Sequence, residues 1–405
     1  MNRVVITGIG VITSIGVGRQ AFWEHLLAGQ SGISPVESFD TSVYSVHRGG
    51  EVKGFTPQPY VRNQDPAQLG RSSQLAIAAS RLSLTDAGLA PDDLDPLMTG
   101  VSMGTTSGEP NEVERFNDAY VANEPERIGP EFISRYPCHR IAGYIASEFG
   151  LMGCNMMIPT ACAAGTYAIS YAFDVIRAGR ANVMLAGGAD AFSRITYTGF
   201  ARLFAIAPEK CQPFALNRKG MIPGEGAGIL TLESLDSALR RNAPIYAEIA
   251  GYGLSCDAFH MTGGHPEGAG AVRAMEQALS TSQTTPDEID YISAHGTGTK
   301  SNDQNETISV KRVFKDTAYR TPISSIKSMI GHTMGAASAI ESAVCALAIS
   351  TSRIPPTLNL DEPDPECDLD YVPNVAREHT VRVAMNNAYA FGGTNASLIL
   401  KKYEG

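Results

Sequence analysis

One stretch constrains the fold more than any other: strand-like and helix-like patterns alternate between residues 150 and 190. "CNMMIPTA" (154–161) is strand-like, and "ANVMLAGGAD" (181–190) has the continuous apolar character of a buried strand. Between them, residues 163–180 place apolar side chains at helical spacing and end near Gly179, which is a typical stop signal. A strand–helix–strand unit of this length predicts a parallel sheet in an α/β fold.

A strand pattern broken by glycines occurs twice. "RVVITGIGVIT" (3–13) and "PIYAEIAGYGLSC" (244–256) are both apolar runs with two glycines at two-residue spacing. Their likeness suggests an internal duplication whose halves meet near residue 245. We therefore predict an N-terminal half over residues 1–245 and a C-terminal half over residues 246–405. They should pack as one body, because no low-complexity linker separates them.

Composition excludes several classes of protein. The 405 residues include 43% hydrophobic residues, which is enough for a large core. A net charge of −10 argues against nucleic acid as the main partner. We expect no membrane span, because no secretory signal opens the chain and no run of about 18 apolar residues occurs. The GxG in residues 3–13 does not support a dinucleotide loop, because Thr13 stands where the third glycine belongs.

The seven cysteines point to a reducing compartment. They are scattered, odd in number and never form a CxxC pair. This usage fits a cytoplasmic protein better than a disulfide scaffold or a zinc site, and we expect no bound metal.

Cys162 has the most distinctive setting among these cysteines. In "TACAAG" it comes immediately before the predicted helix, and small residues follow it. A helix N-terminus favours the thiolate anion, so a nucleophile with a lowered pKa is one interpretation. A buried, inert cysteine is the other and is the commoner fate of a free cysteine.

Two of the eight histidines are also placed where α/β proteins build sites. His295 lies in "AHGTGT" at the end of a predicted strand, and His332 lies in "SIKSMIGHTMG" before a long apolar helix. Taken singly, each histidine could equally be a structural residue. Together with Cys162 they suggest acyl transfer, because a thiolate can hold an acyl group while neutral imidazoles hydrogen-bond a thioester oxygen that gains negative charge.

Other polar and flexible positions extend this candidate site. Lys327 precedes His332, and Glu341 lies on the apolar helix, where a carboxylate is costly unless it is paired. We predict that Lys327 and Glu341 pair, although each could also be a solvated charge. Thr297 and Thr299 provide hydroxyls close to His295 in the sequence.

Two glycine-rich turns complete the set. "AFGGTN" (390–395) offers backbone N–H groups for an oxyanion hole with the N–H of Cys162, and Phe391 is large enough to close a pocket. "FHMTGG" (259–264) adds Thr262.

These motifs, in this order, resemble the β-ketoacyl-acyl carrier protein synthases of the thiolase superfamily. The likeness extends from "VVITGIGVITSIG" to "FGGTNASLIL" and includes "TACAAG", "LAGGADA", "PGEGAGILTLE", "DAFHMT", "AHGTGT" and "SSIKSMIGH". It implies a five-layered α-β-α-β-α fold of two duplicated halves, with the nucleophile in the first half and the histidines in the second.

The resemblance also implies roles for individual residues. Cys162 looks like the acyl-accepting nucleophile, and His295 and His332 look like the pair that assists decarboxylation of a malonyl thioester. Lys327 would be hydrogen-bonded in the site, with Glu341 as its partner, and Phe391 would gate the pocket and lend its N–H to the oxyanion hole. Thr297 and Thr299 would hold a phosphopantetheine arm. The residues expected to bind substrate are Thr297, Thr299, Thr262, Ser107 and Phe200.

The same resemblance indicates the partners. Such enzymes need no permanently bound cofactor, and the phosphopantetheine arm of an acyl carrier protein delivers the substrate. The expected assembly is a dimer, either a heterodimer with a chain-length-factor homologue or a homodimer.

Several stretches look more like the ketosynthase-alpha subunits of type II polyketide synthases than like fatty-acid enzymes. "HGTGTKSNDQNET" and "PDPECDLDYVP" (363–373) have this look, and fatty-acid enzymes usually carry Pro-Ala-Gly or Pro-Leu-Asn where this chain has residues 300–302. Ser107 stands near where those enzymes place a bulky pocket-floor residue. Ala390 replaces a glycine of the family's loop, which should restrict that loop.

Three alternatives remain. A synthase II of fatty-acid elongation has the same chemistry. A thiolase is disfavoured because "AFGGTN" lacks the second cysteine that thiolases use. A non-catalytic chain-length factor is disfavoured because such proteins lack the nucleophile that Cys162 provides.

Overall fold

The computed structural model describes residues 2–405 and contains one large twisted sheet built from two equivalent sets of strands. The first set runs β1-β5-β4-β2-β3 across the sheet. Its strands are β1 (Val4–Thr13), β2 (Thr99–Gly104), β3 (Asn155–Ile158), β4 (Val183–Asp190) and β5 (Gly226–Ser234). The first two neighbouring pairs are antiparallel and the last two are parallel.

The second set repeats this arrangement in the order β6-β10-β9-β7-β8. Its strands are β6 (Ala247–Cys256), β7 (Tyr291–Ser293), β8 (Ile323–Ser324), β9 (Val383–Tyr389) and β10 (Thr394–Lys401). The pairs again run antiparallel, antiparallel, parallel and parallel. Three residue pairs between β1 and β6 join the two sets. This topology agrees with the predicted duplication, and the boundary at residue 245 stays a prediction.

Twelve α-helices lie among the described residues. They are α1 (Arg19–Leu27), α2 (Arg71–Asp86), α3 (Pro110–Val121), α4 (Glu131–Arg135), α5 (His139–Phe149), α6 (Ala164–Arg177), α7 (Arg194–Arg202), α8 (Leu235–Arg240), α9 (Ala269–Ser282), α10 (Lys300–Phe314), α11 (Lys327–Ile330) and α12 (Ala337–Thr351). Further short strands occupy Gly16–Val17, Ser34–Pro35, Arg48–Gly49, Arg353–Ile354 and Arg377–Glu378.

The helices and the two strand sets form five layers. Helix α2 covers one face of the first strand set, and α9 covers one face of the second, with α10 packed against α9. Helices α6 and α12 lie between the two sets, where they contact each other and strands of both. Both helices consist mainly of buried residues, because they pack between the two strand sets.

The repeated glycines serve helix packing. A Cβ added at Gly10 in β1 would lie 1.8 Å from the carbonyl oxygen of Ala79 in α2. A Cβ added at Gly253 in β6 would lie 2.0 Å from the carbonyl oxygen of Ala274 in α9. The glycine spacing therefore lets one helix approach each strand closely.

One segment of the described chain, Met334–Thr351, is apolar and long enough to span a membrane, and 89% of it is buried inside the protein. It contains α12, whose position between the two strand sets explains its composition.

Candidate active site

Cys162 lies in a tight turn that opens the central helix α6. The turn, Ala161–Ala163, follows β3, and Ala161 has a left-handed backbone with a φ of 49°. Such a conformation is costly for a residue with a Cβ, and it turns the chain sharply from strand to helix. The side chain of Cys162 is buried, and its residue is 7% exposed.

His295 and His332 meet Cys162 at the end of the strands. The Sγ of Cys162 and one ring nitrogen of each histidine lie within 4.8 Å of one another. The two imidazole rings are 5.5 Å apart between centroids and nearly perpendicular. The fold therefore brings together three residues that are separated by up to 170 positions in the sequence.

Hydrogen bonds fix the tautomer of each imidazole. Nδ1 of His332 accepts a hydrogen bond from the backbone N–H of Met334 at 3.1 Å. Nδ1 of His295 lies 3.5 Å from the Nζ of Lys327, which is a donor only. A neutral imidazole whose Nδ1 accepts carries its proton on Nε2, so both rings can present an N–H to an oxyanion.

Both histidines are held neutral. Burial lowers the pKa of His295 well below its usual value, and the charge of Lys327 and the nearby His332 lower it further. Burial and then the charge of Lys327 lower the pKa of His332 in the same way. A Cys-His-His set can in principle bind zinc, but here the Lys327 ammonium opposes a second cation.

Lys327 and Glu341 form the predicted ion pair behind the histidines. Both side chains are buried, and Nζ of Lys327 donates to Oε1 of Glu341. Burial raises the pKa of Glu341 to about 7, although Lys327 opposes the shift. Neither residue lines the cleft, and the nearest contact between this pair and the histidines is the one between Lys327 and His295.

Of the two interpretations left open for Cys162, a thiol with a lowered pKa is not found. Burial raises the pKa of Cys162 to about 12, because desolvation of the thiolate exceeds the favourable effect of the Lys327 charge. The carboxylates of Asp190 and Glu341 add to this increase. The free cysteine is therefore a protonated thiol at neutral pH.

A cleft leads from the surface to the three residues. Five predicted residues line it together with them, namely Phe200, Thr262, Thr297, Thr299 and Phe391. The hydroxyls of Thr297 and Thr299 are 2.9 Å apart. The rings of Phe200 and Phe391 are 5.7 Å apart, and Phe391 is 41% exposed at the mouth.

Ser107, which was also predicted to bind substrate, lies outside the cleft. It is exposed in this single chain, with its backbone N–H donating to Asp190.

The expected restriction at Ala390 is not found. Ala390 has an extended backbone, with φ of −130°, which any residue adopts. The left-handed positions of this turn are Gly392 and Gly393, with φ of 83° and 77°. The loop's freedom therefore lies on the C-terminal side of Phe391.

Glu306 contributes to the site, although the sequence analysis assigned it no role. Its two carboxylate oxygens accept the backbone N–H groups of His295 and Gly296, each at 2.8 Å. Asp303, one turn earlier in α10, accepts from the N–H of Gly298. The signal was present as two acids spaced by three residues at the start of a helix that follows the histidine loop.

Comparison with known proteins supports one family. Residues 1–238 match the family model for the N-terminal domain of β-ketoacyl synthase, and residues 246–361 match the model for its C-terminal domain. A 3-oxoacyl-[acyl-carrier-protein] synthase 2 of Synechocystis sp. is 40% identical and covers 100% of this chain and 99% of its own. The enzyme of the same name from Staphylococcus aureus is 39% identical with the same coverage.

Solved structures of ketosynthases are also similar to this chain. The ishigamide ketosynthase/chain length factor superimposes with a TM-score of 0.96 at 43% identity, over 100% of both chains. A type II polyketide synthase ketosynthase, solved in complex with its acyl-carrier protein, superimposes with a TM-score of 0.92 at 33% identity, over 99% of this chain and 100% of its own.

Proposed function

The chain belongs to the β-ketoacyl synthase family of condensing acyltransferases, and we propose that it extends carrier-bound acyl chains in type II polyketide biosynthesis. One observation carries the chemical part of this proposal. Two neutral imidazoles lie beside Cys162 at the end of the cleft, and the Nδ1 of each faces a hydrogen-bond donor. One nitrogen of each ring and the Sγ of Cys162 lie within 4.8 Å of one another. Such a site provides one nucleophile and two donors for an oxyanion.

Acyl transfer comes first. The Sγ of Cys162 attacks the thioester carbonyl of an acyl carrier, and the carrier's thiol leaves with the proton of the cysteine. The backbone N–H groups of Cys162 and Phe391 stabilise the tetrahedral oxyanion in this proposal. The acyl chain then remains on Cys162 as a thioester.

Decarboxylation and condensation follow. The bound malonyl thioester loses carbon dioxide, and the electron pair of the broken C–C bond passes to its carbonyl oxygen as an enolate. The Nε2–H groups of His295 and His332 hydrogen-bond this oxygen. The enolate carbon then attacks the acyl carbonyl, the C–S bond to Cys162 breaks, and the released thiolate takes a proton from water. The product is a β-ketoacyl carrier that is two carbons longer.

The substrates arrive on a phosphopantetheine arm in this proposal. Thr297 and Thr299 line the cleft with their hydroxyls close together, which suits hydrogen bonds to the amides of the arm. Phe391 and Phe200 would close the mouth over the acyl group. We place the reaction in the cytoplasm, with no permanent cofactor.

The test of this mechanism separates the two half-reactions. A Cys162→Ala enzyme should lose the acyl-enzyme mass shift and all condensation. It should still decarboxylate malonyl carrier, because the histidines do not need the thiol for that step. Cys138→Ala is a matched control, since this cysteine is partly buried and does not line the cleft, and it should keep both activities. Condensation by Cys162→Ala would contradict the proposal.

We also propose a heterodimer with a Cys-lacking, chain-length-factor-like homologue. Two structural neighbours bear names that pair a ketosynthase with a chain length factor. The edge strand β3 supports a subunit contact, since it ends the sheet and exposes Met156, with Met152 exposed just before it. Native mass spectrometry of the tagged complex from its source tests this, and a homodimer would contradict it.

A second candidate function is fatty-acid elongation. The 40% identity to a 3-oxoacyl-[acyl-carrier-protein] synthase 2 over the full chain favours it. Products formed from malonyl and acyl carriers distinguish the two, since a polyketide enzyme accepts β-keto intermediates that have not been reduced.

A further inference from the structure

The turn before α12 repeats the turn before α6. Ala161–Ala163 and Met334–Ala336 are single turns that open the two central helices, and they contact each other. Their first residues, Ala161 and Met334, share a left-handed backbone with φ of 49° and 53°. In the second turn, Gly335 therefore occupies the place that Cys162 has in the first.

The carboxylate of a buried aspartate, Asp190, is hydrogen-bonded to the second turn. The carboxylate of Asp190, at the end of β4, accepts the backbone N–H of Gly335 at 2.7 Å. The same carboxylate accepts the backbone N–H of Thr106 at 2.7 Å and of Ser107 at 3.0 Å, and the hydroxyl of Thr105 at 2.8 Å. Each oxygen of the buried side chain thus receives two donors.

Gly335 is shaped for this contact. A Cβ at residue 335 would lie 2.6 Å from Oδ2 of Asp190 and 2.5 Å from the backbone nitrogen of Thr106. Any side chain would push the carboxylate away from the turn.

From this geometry we propose that Asp190 is a positioning residue for the decarboxylation step. Its carboxylate accepts the N–H of Gly335 and so keeps the second turn in the position from which the N–H of Met334 donates to Nδ1 of His332. The inference rests on the proposed function, because it concerns the step in which His332 donates to the enolate.

The link to His332 is short. Met334 donates to His332, and the next residue, Gly335, donates to Asp190. If the turn moves, Nδ1 of His332 loses its donor and the ring can place its proton on the wrong nitrogen. Each oxygen of Asp190 accepts two hydrogen bonds, which favours the ionised carboxylate and opposes the increase in pKa that burial causes.

The first variant is Asp190→Asn, which keeps the shape but replaces one acceptor oxygen by a donor. We expect malonyl decarboxylation to slow by about 10- to 100-fold, as for a lost hydrogen bond to a charged group. Acylation of Cys162 should be no slower than in the wild type, because removing this anion eases thiolate formation. Unchanged decarboxylation would overturn the proposal.

The second variant is Asp190→Gly, which leaves the four donors without a ligand and opens space for a small anion. Added formate should restore part of the decarboxylation rate, and it should not affect Asp190→Asn, where the amide fills the space. A rate in Asp190→Gly that formate leaves unchanged would overturn the proposal, as would equal effects of formate on both variants.

Glu148→Gln is the matched control. Glu148 is a buried carboxylate paired with Arg81, and none of its hydrogen bonds reaches residues 332–336. It should lower thermal stability but keep the decarboxylation rate below the melting temperature. The wild-type protein, assayed in parallel, distinguishes a failure of the proposed function from a failure of this inference. A wild type that does not decarboxylate malonyl carrier would refute the proposed function. A wild type and an Asp190→Asn variant that are equally active would refute only the inference about Asp190.

Discussion

The buried pair of Lys327 and Glu341 allows the role of one hydrogen bond to be measured apart from stability. Three variants are needed: Lys327→Met, Glu341→Leu and the double variant. Both residues are buried, and they form an ion pair, so removing one partner leaves a buried group without compensation. We expect each single change to lower the free energy of unfolding by about 3–5 kcal/mol. The double variant should recover most of this loss, because two apolar side chains replace a desolvated pair.

Activity should behave differently. Nζ of Lys327 lies 3.5 Å from Nδ1 of His295, and a hydrogen bond to a charged group is worth about 1.5–3 kcal/mol. At about 1.4 kcal/mol for each factor of ten, Lys327→Met should slow decarboxylation by roughly 10- to 150-fold. The double variant lacks the same donor, so it should be as slow as Lys327→Met although it is stable.

The assay is release of carbon dioxide from malonyl carrier, with urea denaturation of the same preparations. A double variant that regains both stability and wild-type decarboxylation would refute the reasoning, because the pair would then be only structural. A double variant that is stable and slow shows that Lys327 acts on His295.

Three further outcomes follow from the site. The rate at which iodoacetamide alkylates Cys162 should rise about tenfold per pH unit from pH 7 to 9, since burial raises the thiol pKa to about 12, and a plateau below pH 8 would contradict this. Glu306→Gln should cost about 1–3 kcal/mol in unfolding free energy and slow decarboxylation, because an amide cannot accept the N–H groups of both His295 and Gly296. Phe200→Ala, Phe391→Ala and the double variant should each raise KM for the acyl carrier. The free-energy change of the double variant should differ from the sum of the single changes by about 0.5–1.5 kcal/mol, because the two rings pack together. Simple additivity would show that the rings act separately.

Much of the site could be predicted because its residues stand in local patterns. Cys162, His295 and His332 each lie at a junction of strand, loop or helix, and the parallel strands place such junctions at one end of the sheet. The pairing of Lys327 with Glu341 followed from a single acid on an apolar helix. The duplication was visible because two strands need glycine for the same packing reason.

What could not be predicted depends on burial and on contacts distant in the sequence. Desolvation, which a sequence does not reveal, raises the thiol pKa of Cys162 by more than the Lys327 charge and a backbone hydrogen bond lower it. The partners of Asp190 come from residues 105–107 and from Gly335, which are brought together only by the fold. Ala390 was misjudged because its backbone angle was unknown, and the flexible glycines follow it.

The division of the site between two halves has a consequence for synthesis of the chain. Cys162 precedes His332 by 170 residues, so at about 5–20 residues per second this cysteine leaves the ribosome roughly 10 to 30 seconds before the imidazole that completes the candidate site. Helix α6 cannot be fully covered until then, because one of its neighbours is α12. A nascent chain thus carries a cysteine at an uncovered helix start, without the lysine or the histidines. The complete site therefore forms only when the second half folds against the first.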